Sequence, residues 1–288
     1  MSSENYDMIN CDPTFSENIG CKCFRCERIR EQNNVCDSAM AVYNRWSDKV
    51  GIDKRQHQLE GIKWCLYHEL CPRPHGQVRG GIIADEMGLG KTILMLACIR
   101  CNFLQRTLIV LPPALVSQWV GIFQRFFGHI PFVYHGSRAK TITFEKLKTK
   151  PIVITTYGMV TMRFKKNKEP QPNKLHKLQW NRVIYDEAHH LRNMDTRRHL
   201  GANSIQADIT WVVTGTPINN RMSDLFALCK IIGISDMFQP NKEVIKKLLG
   251  IYLLRRTKLQ VGIKLPPVNE TLIQVNWESQ AEFDMAAD

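Results

Sequence analysis

Between residues 80 and 215 the chain repeats one theme: a short, unbroken apolar run, then a longer segment whose apolar positions recur every three or four residues. The runs are GGIIAD (80–85), TLIVL (107–111), IVITTY (152–157), RVIYD (182–186) and TWVVTG (210–215), most of them rich in Ile and Val. Unbroken apolar runs of this length suit strands covered on both faces, and such strands form parallel sheets. Residues 58–70 set Leu59, Ile62, Leu66 and Leu70 on one helical face. Residues 91–100 place Ile93, Leu94, Leu96, Ala97 and Ile99 along an apolar helix. Strands alternating with helices predict an α/β fold with an open, doubly wound parallel sheet, whose ligand sits beyond the carboxyl ends of the strands.

Three zones differ in character. Residues 1–45 are polar and hold five of the ten cysteines. Residues 46–250 carry the alternating pattern, and 251–288 contain LLRRTK and KLPPVNE. Hydrophobic residues make up 44% of the 288, enough for a full core, and the net charge of +12 favours a polyanionic partner through counterion release. The opening MSSENYDMIN has no signal-peptide pattern, and the longest apolar runs fall far short of the ~20 residues of a membrane helix. The expectation is an intracellular protein with reduced cysteines and no membrane partner.

The candidate chemistry falls at strand ends. GGIIAD, EMGLG and KTILMLACIR read as strand, loop and helix, the context that a phosphate-binding loop requires. Gly88 and Gly90 let the backbone approach phosphates at a helix start. Lys91 would reach the β and γ phosphates, and Thr92 would hold Mg²⁺. The usual pattern puts a glycine where this chain has Asp85. Roughly 95 residues later, RVIYDEAHH ends a strand in Asp186-Glu187-Ala188-His189. There Asp186 can serve Mg²⁺ and Glu187 can orient or deprotonate the attacking water. A zinc helix of H-E-x-x-H type would need His at 186. VVTGTPINN adds Thr214, Gly215, Thr216 and Pro217 at a further strand exit, and Gln58 in KRQHQLEGIKW can pair with an adenine edge or lie on a polar surface.

Taken in order, HQLEGIKW, GGIIADEMGLGKT, LIVLPPALVSQW, VITTYGMV, VIYDEAHHLRN, VVTGTPINNRMSDLFALCKIIG and LLRRTK resemble the Swi/Snf-type ATPases of helicase superfamily two. These are double-stranded DNA translocases and chromatin remodellers. The wording is most similar to the branch containing helicase-like transcription factor and transcription termination factor. The resemblance covers residues 50–275. It implies a RecA-like first lobe of a two-lobe motor, and in that family an acidic residue is usual at the position of Asp85. It further implies that Gln58 recognises adenine and that Asp85, Glu86, Met87, Gly88, Leu89, Gly90, Lys91 and Thr92 form the ATP loop. Asp186 then serves Mg²⁺ and Glu187 is the catalytic base within a DEAH box. The loop Thr214–Pro217 couples ATP state to DNA grip, and Ser117, Tyr157 and Gly158 track a DNA backbone, positioning the protein without reading sequence. Three residues depart from the family's usual choice: His57, Asn219 and Val268. Nothing after LLRRTK resembles a second lobe, which would complete the ATP cleft in cis or in trans and supply an arginine finger worth on the order of 10³–10⁵ in rate. Arg255 and Arg256 lie in the connecting region, so neither is that finger. The implied partner is double-stranded DNA or chromatin, in the nucleus, or in the cytoplasm for a large DNA virus.

Two segments stay open. Cys11, Cys21, Cys23, Cys26 and Cys36 include one C-x₂-C pair, which fits either a structural Zn²⁺ site or a semi-ordered tail. Cys65, Cys71, Cys98, Cys101 and Cys229 sit in helical patterns and are expected in or near the core. The basic insert 162–180 offers Lys165, Lys166 and Lys168 to DNA phosphates, or is a solvated loop. Two rival functions are kept: a lone-lobe adaptor that binds ATP or DNA without motor activity, and an RNA helicase, against which DEMGLGKT and TGTP argue.

Overall fold

The computed structural model describes residues 24–71, 78–166, 168–218, 221–234 and 242–263. Its frame is a seven-stranded sheet with neighbours in the order β3-β4-β2-β7-β8-β1-β9. In chain order the strands are β1 (Gly80–Ile83), β2 (Thr107–Leu111), β3 (Phe132–Tyr134), β4 (Ile152–Thr156), β7 (Gln179–Tyr185), β8 (Gln206–Val213) and β9 (Leu253–Leu254). Each of these pairings is parallel. The five predicted runs form β1, β2, β4, β7 and β8.

Successive residues of a strand point to opposite faces, so unbroken apolar runs supply two cores at once. Ile82, Leu108, Val110, Val153, Val183, Tyr185 and Val212 face one core. Ile83, Ile109, Leu111, Ile154, Ile184, Trp211 and Val213 face the other. The second core is covered by α1 (Phe24–Val50), α2 (Gln56–Leu70), α3 (Lys91–Cys101) and α4 (Val116–Phe127). The first is closed by the short α5 (Arg138–Thr141), α6 (Phe144–Lys148) and α7 (Tyr157–Val160), and by α8 (Arg197–Asn203), α9 (Met222–Ile231) and α10 (Lys242–Tyr252).

Three details differ from the sequence expectation. Helix α1 runs across the boundary drawn at residue 45 and buries Cys36, Ala39, Tyr43 and Trp46, so this part of the N-terminal zone belongs to the lobe. The predicted stripe of α2 does pack on the core, Ile62 and Leu66 buried and Leu59 and Leu70 half-buried against it, but the buried residues also include His57, Gln58, Gly61, Cys65, His68 and Glu69. Glu69 goes inward because Arg182 Nε and NH2 donate to its carboxylate at 2.6 and 2.5 Å, Trp211 Nε1 at 2.7 Å and Asn102 Nδ2 at 2.8 Å. The basic insert contains a small antiparallel hairpin, β5 (Arg163–Phe164) with β6 (Pro170–Gln171).

Cys65, Cys71, Cys98 and Cys229 are buried and Cys101 is half-buried, as expected. Cys36 is buried at 2% exposure; its Sγ lies 3.7 Å from that of Cys71, and burial with Cys71 alongside pushes its pKa up to about 12. Cys11, Cys21 and Cys23 lie outside the described residues, as do Asn219 and Val268. Among the described residues no three His, Cys, Asp or Glu side chains converge to hold a metal ion, and no helix is long and apolar enough to cross a membrane. Residues 258–288 form a separate unit, in which 258–263 make a turn closed by the Ile263 N–H on the Lys258 carbonyl at 2.9 Å.

Candidate functional site

Strands β7, β8 and β1 are neighbours, so the loops leaving their carboxyl ends stand side by side. These are the segments 84–90, 186–191 and 214–217. A crevice at such ends is where open α/β sheets bind ligands.

The first loop turns on Gly88 and Gly90, at φ 89° and 88°, a left-handed conformation that glycine adopts without a Cβ clash. A Cβ at Gly90 would also stand 2.2 Å from Gln58 Nε2. Gln58 donates to the Leu89 carbonyl at 3.3 Å, and His57 Nε2 lies 3.2 Å from the same oxygen. The start of α2 is thereby fastened to the loop. Helix α3 opens at Gly90 with no side-chain cap, which leaves its first-turn amides and its dipole for an anion. Lys91 Nζ donates to the carbonyls of Asp85 at 2.8 Å and Glu86 at 3.4 Å. Burial lowers the pKa of this ammonium, against the opposing pull of the Glu187, Asp85, Asp186 and Glu86 carboxylates. Thr92 is half-buried beside it, Met87 is exposed and Leu89 is buried. The Asp85 carboxylate is fully buried and bound by Arg256.

At the end of β7, Asp186 is buried with both oxygens engaged. Oδ1 accepts the Glu187 N–H at 3.0 Å and Oδ2 accepts the indole N–H of Trp119 at 2.8 Å. Burial raises the Asp186 pKa, and the Trp119 bond holds it back. Glu187 sits at φ 49°, a left-handed position that a non-glycine residue occupies at a cost of about 1–3 kcal/mol and that clusters at working sites. Its Oε2 lies 3.1 Å from His189 Nδ1. Ala188 is buried beneath the turn.

Tyr157 requires a correction. It is 3% exposed, and its hydroxyl donates to the Asp186 carbonyl at 2.7 Å, so its side chain braces the acidic turn from behind instead of facing a DNA backbone. Ser117 and Gly158 are exposed at the starts of α4 and α7, and Lys165 and Lys166 are exposed on the hairpin, where Lys165 pairs with Glu169 at 3.0 Å.

The third loop lies over the first. A Cβ at Gly215 would stand 2.9 Å from Met87 Cγ and 3.5 Å from Lys91 Nζ. The Thr214 N–H donates to Ile83 O at 3.0 Å, and the Thr216 N–H to Thr214 Oγ1 at 3.2 Å. Arg192 NH2 donates to Thr216 Oγ1 at 2.6 Å and to the Thr216 carbonyl, tying the acidic turn to this loop while Pro217 is buried. The sequence did not single out Arg192 or Trp119. Both lie inside quoted motifs, but their partners are 24 and 67 positions away.

These residues fit a Mg²⁺-nucleotide: an uncapped helix start, a lysine at the loop and two carboxylates at the end of β7, one strand removed from β1. Residues 57–283 match the SNF2-related domain. The chain is 31% identical over 233 residues to a protein named "Probable global transactivator" from Orgyia pseudotsugata multicapsid polyhedrosis virus, covering 73% of this chain and 44% of that protein. It is 30% identical over 258 residues to the DNA repair protein RAD5 of Candida albicans, covering 71% and 24%. The chain thus spans less than half the length of these relatives. Its fold matches the Sulfolobus solfataricus SWI2/SNF2 ATPase core in complex with dsDNA at a TM-score of 0.58 and 24% identity, over 73% of this chain and 46% of that one. A RecA-like lobe carrying these three loops, all of them within the matched residues 57–283, belongs to the SNF2-related domain family.

Proposed function

We propose that this chain is the ATP-binding and ATP-hydrolysing lobe of a double-stranded DNA translocase of the chromatin remodelling, transcription or repair type. The observation that carries the reading is the meeting of three loops at the ends of β1, β7 and β8, with Gly215 against Lys91 and Met87 and Arg192 binding the third loop to the second. In this reading the α3 amides and Lys91 hold the phosphates, Gln58 contacts adenine, and Thr92 and Asp186 hold Mg²⁺. The metal would supply charge neutralisation at the phosphates. Glu187 takes the proton of the attacking water, with His189 against its carboxylate. Trp119, Tyr157 and the Glu187 amide keep Asp186 in one orientation. Thr214–Pro217 passes the state of this site to the DNA-facing side, where Ser117, Gly158, Lys165 and Lys166 meet phosphates. A net charge of +12 supports a polyanionic partner.

A second RecA-like lobe, in cis or in trans, completes the cleft, so turnover by this chain alone is weak. A structural Zn²⁺ held among Cys11, Cys21, Cys23, Cys26 and Cys36 is a further part of the proposal. The proposed location is the nucleus, or the cytoplasm in a large DNA virus.

The test is binding of a fluorescent ATP analogue with Mg²⁺, then ATP turnover with duplex DNA or with RNA added. Binding that Lys91→Ala abolishes, and turnover raised by duplex DNA above RNA, supports the proposal. Stimulation by RNA alone points to an RNA helicase. Binding without turnover, even when a second lobe is supplied, points to an adaptor.

A further inference from the structure

An acidic side chain at the mouth of a phosphate loop is an electrostatic burden, because it sits where a triphosphate brings negative charge into a low dielectric. Asp85 is that side chain, and it is 0% exposed. Its Oδ1 accepts from the Arg256 backbone N–H at 3.0 Å and from Nε at 3.1 Å, and its Oδ2 accepts from NH2 at 2.5 Å. The backbone repeats the contact. Ala84 N donates to Leu254 O at 2.7 Å, and Glu86 N donates to Arg256 O at 2.9 Å. Arg256 NH1 continues to the His57 carbonyl in the first turn of α2. Gly61 leaves the room for this, since a Cβ there would stand 2.7 Å from Arg256 NH2. One guanidinium therefore joins the phosphate loop to the helix that carries Gln58.

We propose that Arg256 is a positioning residue for the nucleotide: it cancels the Asp85 charge at the loop mouth and clamps the loop, the exit strand β9 and the start of α2 in one register. This rests on the reading of the site as an ATP site. It also gives the acidic residue at the usual glycine position a physical role, as the anchor for a strand 171 positions later.

The test measures binding of a fluorescent ATP analogue with Mg²⁺ to wild type, Arg256→Ala, Arg256→Lys, Asp85→Asn and the Asp85→Asn/Arg256→Ala double variant. Arg256→Ala leaves a buried carboxylate unpaired and is expected to weaken binding by about tenfold or more. Adding Asp85→Asn is expected to restore affinity to within about threefold of wild type, because the charge to be cancelled is gone. A role confined to holding the strand would give no such rescue. Arg256→Lys keeps the charge and is expected to bind more tightly than Arg256→Ala, and it carries the test if the alanine variant does not fold. Wild-type affinity in folded Arg256→Ala, or a double variant as weak as the single, overturns the proposal.

A second measurement needs no nucleotide. Endoproteinase Lys-C should cut at Lys258 faster in Arg256→Ala and Asp85→Asn than in wild type, and equal rates overturn the clamp. A wild-type chain that binds no analogue overturns the proposal together with the ATP site. Faster cleavage in the variants would then locate the failure in the nucleotide reading and not in the ion pair.

Discussion

The indole N–H of Trp119 is hydrogen-bonded at 2.8 Å to Oδ2 of Asp186, the carboxylate assigned to Mg²⁺. Trp119 is itself buried at 2% exposure, so the bond is shielded from water. The bond favours the ionised carboxylate against burial, which pushes the pKa up. Metal binding needs that ionised form.

Replacing Trp119 by Phe keeps the ring and removes the donor. Mg²⁺-dependent binding of an ATP analogue at neutral pH should weaken by about tenfold, the worth of one hydrogen bond to a charged group. The pH at which half the binding is lost should move upward, because the Asp186 pKa rises further once the bond is gone. Calorimetric or fluorescence titration across pH checks both. A downward or unchanged midpoint would remove Trp119 from the site.

Lys91→Ala should abolish turnover by removing the cation at the phosphate loop. Glu187→Gln should leave nucleotide affinity within about threefold and cut hydrolysis by about 10²–10⁴, the usual contribution of a general base. Single-turnover hydrolysis with a second lobe supplied separates the two effects. Normal turnover in Glu187→Gln would refute the role given to that residue.

The Glu69–Arg182 pair is wholly buried, with both side chains at 0% exposure. Arg182→Met strands a buried carboxylate and should cost about 3–5 kcal/mol in urea unfolding. Adding Glu69→Gln should recover much of that loss, since the strain comes from the unpaired charge. Additive losses in the double variant would contradict this.

Burial lowers the pKa of His176 and of His199 below the ordinary 6.5, although each is hydrogen-bonded to a carbonyl: Val160 and Gly201 for His176, Leu191 for His199. The unfolded chain then binds more protons than the folded one as pH falls below that value, so stability is full above it and declines toward the folded pKa. Thermal unfolding should show a lower midpoint at about pH 5.5 than at about pH 7.5. His199→Gln should shrink the difference. A lobe equally stable at both pH values would be inconsistent with neutral buried imidazoles.

The sheet was legible wherever strands are long enough to print a run of Ile and Val: β1, β2, β4, β7 and β8 all stand where those runs lie. Strand β3 with three residues and β9 with two leave no periodic trace, and both owe their place to a neighbour's free edge. The glycines, Lys91 and the acidic pair could be read because their chemistry is local to one turn. Contacts that orient them were hidden by distance along the chain: Trp119 from Asp186, Arg192 from Thr216, and Arg182 from Glu69 by 113 positions. Tyr157 misled because its motif position says nothing of which way a ring points. Its neighbour Gly158 is exposed while the phenol is inside. Helix α1 was missed because Cys36, Ala39, Tyr43 and Trp46 make a narrow apolar stripe in an otherwise polar segment.

Strand β9 completes the edge of β1 through Ile82 with Leu253 and Ile83 with Leu254. A ribosome must make some 170 further residues after β1 before its last neighbour exists. Until then one row of β1 amides and carbonyls is open, and closing so long a loop is slow for a parallel pairing. The strand that feeds the phosphate loop is therefore the last part of the sheet to be sealed, and a nascent chain halted before residue 253 presents a raw edge to other chains.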